Sequence, residues 1–141
     1  MNTNQLDSNK QLVRRLYEDC LNTGKTELLT ELLADDFIGS RGEKGPAEFA
    51  HTVAMLRDGF PDLQFQVEDL IAEDDRVAAR WSMQATHTGP FVGFAASGKP
   101  VTQTAIVIYR VRDGKITRAW LQSDRLGVMQ QIGAVPPLPG R

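Results

Sequence analysis

Residues 109–133, YRVRDGKITRAWLQSDRLGVMQQIG, decide the fold of this 141-residue chain. The Asp113-Gly114 pair within them is a strong signal for a tight turn between two antiparallel strands. Apolar and polar residues alternate on both sides of the turn, which predicts one strand over 101–111 and the next over 115–121. This hairpin predicts a sheet with one face packed on a core.

The period of two begins well upstream of this hairpin. Alternation over 63–68 and 77–86 predicts two earlier strands, with a turn at Asp74-Asp75 between them. A glycine-containing connection over 89–98 then leads to the hairpin. We interpret this connection as a mobile rim over a pocket, because loops of this kind often carry function.

The remaining regular segments follow a helical period. The N-terminal half shows apolar residues at i, i+3 and i+4 spacing, with Ser8 as a plausible first N-cap. Ser123 or Asp124 is suited to cap a last short helix. These predicted helices cover 9–22, 27–33, 46–58 and 125–132. Helices followed by strands predict the α+β class, here a cone-shaped curved antiparallel sheet packed on N-terminal helices. We expect a single domain, with loose ends over 1–8 and 134–141.

The composition restricts the function classes. The chain has 16 Lys and Arg against 18 Asp and Glu, and this balance does not favour a nucleic-acid partner. No apolar run is long enough to cross a bilayer, and the N-terminus lacks a signal-peptide core, so we expect a cytoplasmic protein without a membrane partner. The single cysteine, Cys20, is expected to pack in the core. The second face of the sheet carries Val, Ile and Trp, which favours a homodimer.

Four passages of the chain resemble the SnoaL-like polyketide cyclases, or ester cyclases, of the nuclear-transport-factor-2-like superfamily. They are VRRLYEDCLNTG (13–24), ADDFI (34–38), THTGPFVGFAASG (86–98) and residues 109–133. The resemblance covers nearly the whole chain, and it implies the cone fold. The resemblance also implies the chemistry of the founding cyclases, a metal-free intramolecular aldol reaction.

The resemblance also implies where catalytic residues would fall. In the founding cyclases an Asp takes a proton from the carbon next to a carbonyl, and a His on the neighbouring strand assists. Aligned on DGKI without gaps, that Asp falls on Leu121 and that His on Val107. A further His, common after the DDF passage, falls on Ser40.

Two other residues are candidates for the chemistry itself. Asp124 keeps a W-x-x-x-D spacing found in many relatives and shares a strand face with Trp120 and Gln122, so we predict it as a general base. An N-cap of the last helix is its alternative role. His87, at the end of a strand, could orient or protonate a substrate oxygen. Its alternative is a turn residue bonded to the backbone.

Eight side chains are predicted to contact a small hydrophobic or cyclic carbonyl ligand. For the aromatic ones, simple core packing is the alternative. The eight are Tyr17, Trp81, Gln103, Val107, Tyr109, Trp120, Leu121 and Gln122. We expect no metal site, because two histidines far apart without a carboxylate at ligand spacing are a poor ligand set. No cofactor is expected either.

These observations lead to several functional hypotheses. The first is a cofactor-free enzyme that abstracts a proton and cyclises or isomerises a polyketide-like carbonyl compound. A cofactor-independent hydroxylase and an epoxide hydrolase are alternative reactions on the same fold. A non-catalytic protein that binds a small ligand is the alternative outside enzymology, since a fold alone does not fix the function.

Overall fold

The computed structural model describes residues 2–136 and 139. Its helices are α1 (Thr3–Arg15), α2 (Leu29–Leu32), α3 (Gly45–Gly59) and α4 (Arg125–Gln131). Helix α1 continues into a π-helical segment, Leu16–Leu21, and a 3-10 turn, Thr26–Leu28, precedes α2. The strands are β1 (Leu33–Ile38), β2 (Gln64–Glu73), β3 (Arg76–Thr86), β4 (Pro100–Arg112) and β5 (Lys115–Ser123).

Five strands form one open sheet in the order β1-β5-β4-β3-β2. Strands β2 to β5 pair antiparallel in sequence order, and β1 pairs parallel with β5. The predicted α+β fold class is therefore confirmed, and the sheet is mixed. The Asp113-Gly114 turn is also confirmed: both residues have positive φ, at 52° and 76°, as a two-residue hairpin turn requires.

The structure differs from the prediction at the start of α1 and at residues 33–38. Helix α1 begins at Thr3 because the Asn2 side chain, not that of Ser8, caps it by accepting a hydrogen bond from Gln5 N at 2.8 Å. Residues 33–38 form a strand because they find a parallel partner in β5. The predicted tail over 134–141 lies partly outside the described residues.

The core fills the space between the helices and the inner face of the sheet. Burial alternates along β3 and β4, so that Val77, Trp81 and Val107 face inward. Cys20 lies fully buried in this core, as predicted, and burial, with a smaller contribution from Glu27, raises the pKa of its thiol to about 11. A thiol of this kind is an inert packing residue at neutral pH.

The outer face of the sheet remains exposed in the single chain. Ile106, Ile108 and Trp120 are its large apolar side chains on β4 and β5. Three guanidinium groups surround Trp120, with Cζ atoms 5.6, 5.5 and 5.2 Å from the ring centroid; they belong to Arg76, Arg110 and Arg118. Within the described part of the chain, no helix is both long and apolar enough to cross a membrane.

Candidate functional site

A cavity of about 340 Å³ lies between the inner face of the sheet, helix α3 and the loops at its open side. Its aliphatic and aromatic lining comprises Tyr17, Leu21, Phe49, Val53, Met55, Leu56, Leu63, Phe65, Trp81, Pro90, Phe91, Val92, Val107, Tyr109, Ala119 and Leu121. Its polar and charged lining comprises Ser40, Arg41, Glu43, Thr52, Asp58, Gln103, Ser123 and Arg125. Of the predicted contact residues, the structure brings together Tyr17, Trp81, Gln103, Val107, Tyr109 and Leu121.

Two tyrosine hydroxyls meet in the wall of this cavity. Tyr17, from the π-helical segment, and Tyr109, from β4, are hydrogen-bonded to each other through their phenol oxygens. Burial raises the pKa of each phenol well above its ordinary value. Both tyrosines therefore remain neutral, and the pair keeps one O–H free to donate to a ligand.

Trp81 lies beside this tyrosine pair. Its ring is 6.2 Å from that of Tyr17 and 4.8 Å from that of Phe65, centroid to centroid. Its indole Nε1 is buried and makes no well-formed hydrogen bond among the described residues, although it lies close enough to the Tyr17 hydroxyl to lower the pKa of that phenol slightly against the effect of burial. Buried donors are normally satisfied, so an orphan N–H in a cavity wall is a group that a ligand oxygen could satisfy.

The β4–β5 pairing places the two positions implied by the family resemblance opposite each other. Val107 is the register partner of Leu121, and both line the cavity. Their neighbours Ser123 and Ala119 also line it. The structure therefore puts both positions in the cavity wall, where this chain carries only hydrocarbon.

The loop between β1 and α3 brings a carboxylate into the cavity wall. Glu43 is 8% exposed, and its Oε1 accepts a hydrogen bond from the backbone N of Arg41 at 2.9 Å. A side chain at Gly39 would place its Cβ 2.5 Å from this oxygen, so glycine leaves the room that Glu43 occupies. Ser40, the position at which the family resemblance implies a His, accepts a hydrogen bond from Leu121 N at 3.0 Å and ties the loop to β5.

The connection over 89–98 does lie at the edge of the cavity. Pro90, Phe91 and Val92 line it, and the Phe91 ring packs 4.9 Å from that of Phe60. A Cβ at Gly89 would stand 1.8 Å from the Asp58 carbonyl oxygen, so the connection passes helix α3 at a distance that only glycine allows. Mobility of this rim stays a prediction.

Asp124, Gln122 and Trp120 do not line the cavity, so their positions do not support the predicted catalytic and ligand-contact roles. The pairing of β4 with β5 shifts register between Arg110 and Val111, which leaves Thr117 as an extra residue on β5. Such a bulge reverses which residues face inward. Trp120 and Gln122 therefore point to the outer face. Asp124 caps α4 instead, with its Oδ1 accepting from Gly127 N at 2.9 Å.

His87 lies in the core outside the cavity lining, so its predicted catalytic role is not supported by its position. Its Nδ1 accepts a hydrogen bond from Ser97 N at 3.1 Å and lies 2.9 Å from the Ser97 hydroxyl. Its backbone N donates to Lys99 O, and its carbonyl accepts from Gly98 N. These contacts match the alternative interpretation, a turn residue that anchors the 89–98 connection.

Comparison with known proteins adds the family. The model of the SnoaL-like polyketide cyclases matches residues 11–132. The chain belongs to the SnoaL-like polyketide cyclase family. Aklanonic acid methyl ester cyclase DnrD of Streptomyces peucetius is 31% identical over 138 residues, covering 91% of this chain and 92% of its own. Cyclase DauD of Streptomyces sp. strain C5, named for the same compound, is also 31% identical, covering 91% and 83%.

Solved structures confirm the cone fold of this family. The crystal structure of a candidate SnoaL-like polyketide cyclase from Jannaschia sp. CCS1 superposes with a TM-score of 0.86 at 25% identity. The match covers 96% of this chain and 99% of that one. The family resemblance identified from the sequence is thus confirmed over almost the whole chain.

Sequence reasoning missed the four charged members of this SnoaL-like cavity: Arg41, Glu43, Asp58 and Arg125. Arg41 and Glu43 lie in an irregular loop, where no period assigns a side chain to a face. Arg125 begins α4, and its Cζ lies 5.0 Å from the centroid of the Phe91 ring. Phe65 was also missed, although its place in the alternating 63–68 segment was a usable signal. No group of metal-ligating His, Cys, Asp or Glu side chains occurs among the described residues.

Proposed function

We propose that this chain is a cofactor-free cyclase that closes a ring in a polyketide-type ketone held in an apolar cavity. The observation that carries the proposal is the neutral Tyr17–Tyr109 pair beside the orphan Trp81 N–H, facing the same cavity as a carboxylate. The names of DnrD and DauD associate relatives with aklanonic acid methyl ester. A substrate of that class is the natural first choice.

The hydrogen-bond donors of the cavity have the role of stabilising the enolate that forms in the reaction. When a proton leaves the carbon next to a carbonyl, negative charge develops on the carbonyl oxygen. A free phenol O–H of the tyrosine pair and the Trp81 N–H are placed to donate to that oxygen. Neutral donors in a water-poor site stabilise such an enolate strongly because they need no reorganisation.

Glu43 is our candidate for the base. It is a buried carboxylate in the cavity wall, and one of its oxygens is held by the Arg41 backbone, which leaves the other available. Glu43 takes the proton, and the resulting enolate carbon attacks a second carbonyl carbon of the same molecule. One C–C bond forms, and the new alkoxide recovers a proton from protonated Glu43. The step needs no oxidant or cofactor.

The experiment is a proton-exchange and cyclisation assay in D₂O with aklanonic acid methyl ester and, in parallel, with the corresponding free acid. We expect deuterium to enter at the carbon next to the ketone, together with formation of a cyclised isomer of unchanged mass apart from deuterium. The Tyr17→Phe/Tyr109→Phe double variant is expected to slow exchange about 10- to 100-fold. This is less than the loss of a sole oxyanion donor because Trp81 and Gln103 remain.

The double variant and its control should both keep the fold. The Tyr-to-Phe substitutions remove both members of a hydrogen-bonded pair and leave no orphan hydroxyl. Glu18→Gln on the exposed helix surface should leave exchange unchanged. Equal exchange in the wild type and the double variant would contradict the role given to the tyrosines.

A specific observation favours a second candidate function, a non-catalytic ligand-binding protein. Val107 and Leu121 replace the founding His and Asp and present only hydrocarbon to the cavity. On this alternative, the donors orient a bound carbonyl compound that leaves unchanged. Binding of the ketone without any deuterium exchange would favour the binding protein over the cyclase.

The proposal includes a cytoplasmic homodimer formed through the outer face of the sheet. Ile71, Ile106 and Ile108 are 68%, 57% and 40% exposed there, with Trp120 beside them. Exposed apolar residues on a sheet face are a common basis for self-association.

Sedimentation of the purified chain tests the assembly directly. We expect twice the chain mass for the wild type and the single chain mass for Ile106→Lys, because a lysine in the apolar centre would have to be desolvated. Ala54→Lys, on the exposed side of α3, serves as the control that should remain dimeric. A monomeric wild type at micromolar concentration would overturn this part of the proposal.

A further inference from the structure

Two arginines of the cavity wall lack an acidic partner. Arg41 comes from the β1–α3 loop and Arg125 from the start of α4, and both line the cavity. Neither forms an ion pair with any carboxylate of the described residues. Six other arginines of the described residues do find such partners, for example Arg80 with Asp69, whereas Arg57 and Arg118 do not.

The environment of Arg125 makes this lack of a partner costly. The side chain is half-buried, and its Cζ lies 5.0 Å from the Phe91 ring centroid. Its Nε is buried without a hydrogen-bond partner among the described residues. Burial, and then the charge of Arg41, lower the pKa of Arg125. A partly desolvated cation that also feels the charge of a second, solvent-exposed cation gains from an anion that binds between them.

The cavity's own carboxylates do not supply that anion. Glu43 directs its Oε1 to the backbone N of Arg41 and not to a guanidinium. Asp58, at the end of α3, is exposed to solvent. The guanidinium of Arg125 thus keeps donors free, and its planar fork matches a carboxylate in a bidentate contact.

We propose that Arg125, with Arg41 beside it, binds a free carboxylate on the ligand, so that this cavity selects acids over the corresponding methyl esters. The inference rests on the proposed function and deepens it, because it names the substrate class: a polycyclic ketone that bears a carboxylate. This differs from the methyl ester in the names of DnrD and DauD. The Phe91 ring, 5.0 Å from the Arg125 Cζ, restricts the guanidinium on one side.

The test uses a matched pair of probes, anthraquinone-2-carboxylate and its methyl ester. Binding is followed by titration calorimetry and by quenching of Trp81, a cavity residue, in a Trp120→Phe background. We expect the wild type to prefer the acid. Arg125→Gln should weaken binding of the acid roughly 10- to 100-fold, as loss of a charge-assisted contact does, and leave the ester unchanged.

Three further variants complete the design. Arg125→Lys keeps the charge without the fork and should recover only part of the affinity. Arg41→Gln tests the second cation without touching α4, and it should weaken the acid alone. Arg14→Gln, on the half-buried side of α1 and outside the cavity lining, removes the same charge and should change neither probe.

The outcomes separate this inference from the proposed function. If the ester binds and Arg125→Gln affects both probes equally or neither, the carboxylate site is wrong and the cavity assignment stands. If neither probe binds or quenches Trp81, the ligand cavity itself fails, and the carboxylate site is overturned with it. A preference for the acid that survives both Arg125→Gln and Arg41→Gln also overturns the inference.

Discussion

Replacing Glu43 with glutamine is expected to lower the rate of deuterium exchange and ring closure by about 10²- to 10⁴-fold, the usual contribution of a general base. Glutamine has nearly the same shape, and its Oε1 can still accept the hydrogen bond that Arg41 N now gives to Glu43. The loop between β1 and α3 should therefore keep its conformation. Binding of the ketone should stay near the wild-type level. The variant should therefore lose turnover rate in the enzyme–ketone complex and not affinity.

Two matched carboxylates control for charge. Asp58→Asn removes the other carboxylate of the cavity wall, and Glu48→Gln removes one from the first turn of α3, which accepts from Lys44 N at 2.9 Å. Both variants should retain the wild-type rate. If Asp58→Asn abolishes exchange while Glu43→Gln does not, Asp58 is the base. Full activity in both cavity variants would remove proton abstraction by a carboxylate from the proposal.

Local signals in the sequence predicted the β-rich half of the fold well. The Asp113-Gly114 turn combines two residues that tolerate positive φ, and the strands on both sides alternate over many residues, so the hairpin follows from neighbours in sequence. The passages that resemble the SnoaL-like family further predicted the cone fold and a ligand cavity. Six of the eight predicted contact residues lie in the cavity wall. Four follow that alternation on β3 and β4, and Tyr17 lies on the inner side of the N-terminal helical segment. The sixth, Leu121, came from the family resemblance and not from the alternation.

The residues that sequence reasoning misplaced share one physical cause. Counting by twos from the buried Ile116 predicts that Trp120, Gln122 and Asp124 face inward. The bulge at Thr117 adds one residue to β5, and from there Ala119 and Leu121 face inward instead. A single unpaired residue therefore reverses which β5 residues face the core, and no local pattern in the sequence predicts such a bulge.

Strand β1 and the charged cavity residues were missed for a different reason. Residues 33–38 carry two adjacent aspartates in the middle, and their strand conformation depends on the parallel partner β5, far away in sequence. The orientation of Glu43 and Arg41 depends on the loop that follows. Contacts at long sequence separation fixed these elements, and alternation within a segment carries no information about them.

Restoring the founding residues should rescue the Glu43 variant. In the Glu43→Gln background, Leu121→Asp with Val107→His is expected to raise exchange and ring closure on the order of 100-fold, because a base returns to the same cavity. The two positions are register partners on β4 and β5, and directly opposite side chains have Cβ atoms about 4.5–5.5 Å apart. A carboxylate and an imidazole at that distance can share a hydrogen bond.

The two substitutions should destabilise the fold only moderately. Leu121 is half-buried, so a carboxylate there keeps part of its hydration, whereas Val107 is 2% exposed and a larger ring must be accommodated at about 1–3 kcal/mol. Asparagine in place of aspartate, in an otherwise identical variant, keeps the shape and removes the base. Rescue by aspartate and not by asparagine would show that substrate carbon lies within reach of the β4–β5 wall. If both fail while ketone binding persists, the ligand is held away from that wall, and the loss of the founding pair in this chain reflects a different orientation of the substrate.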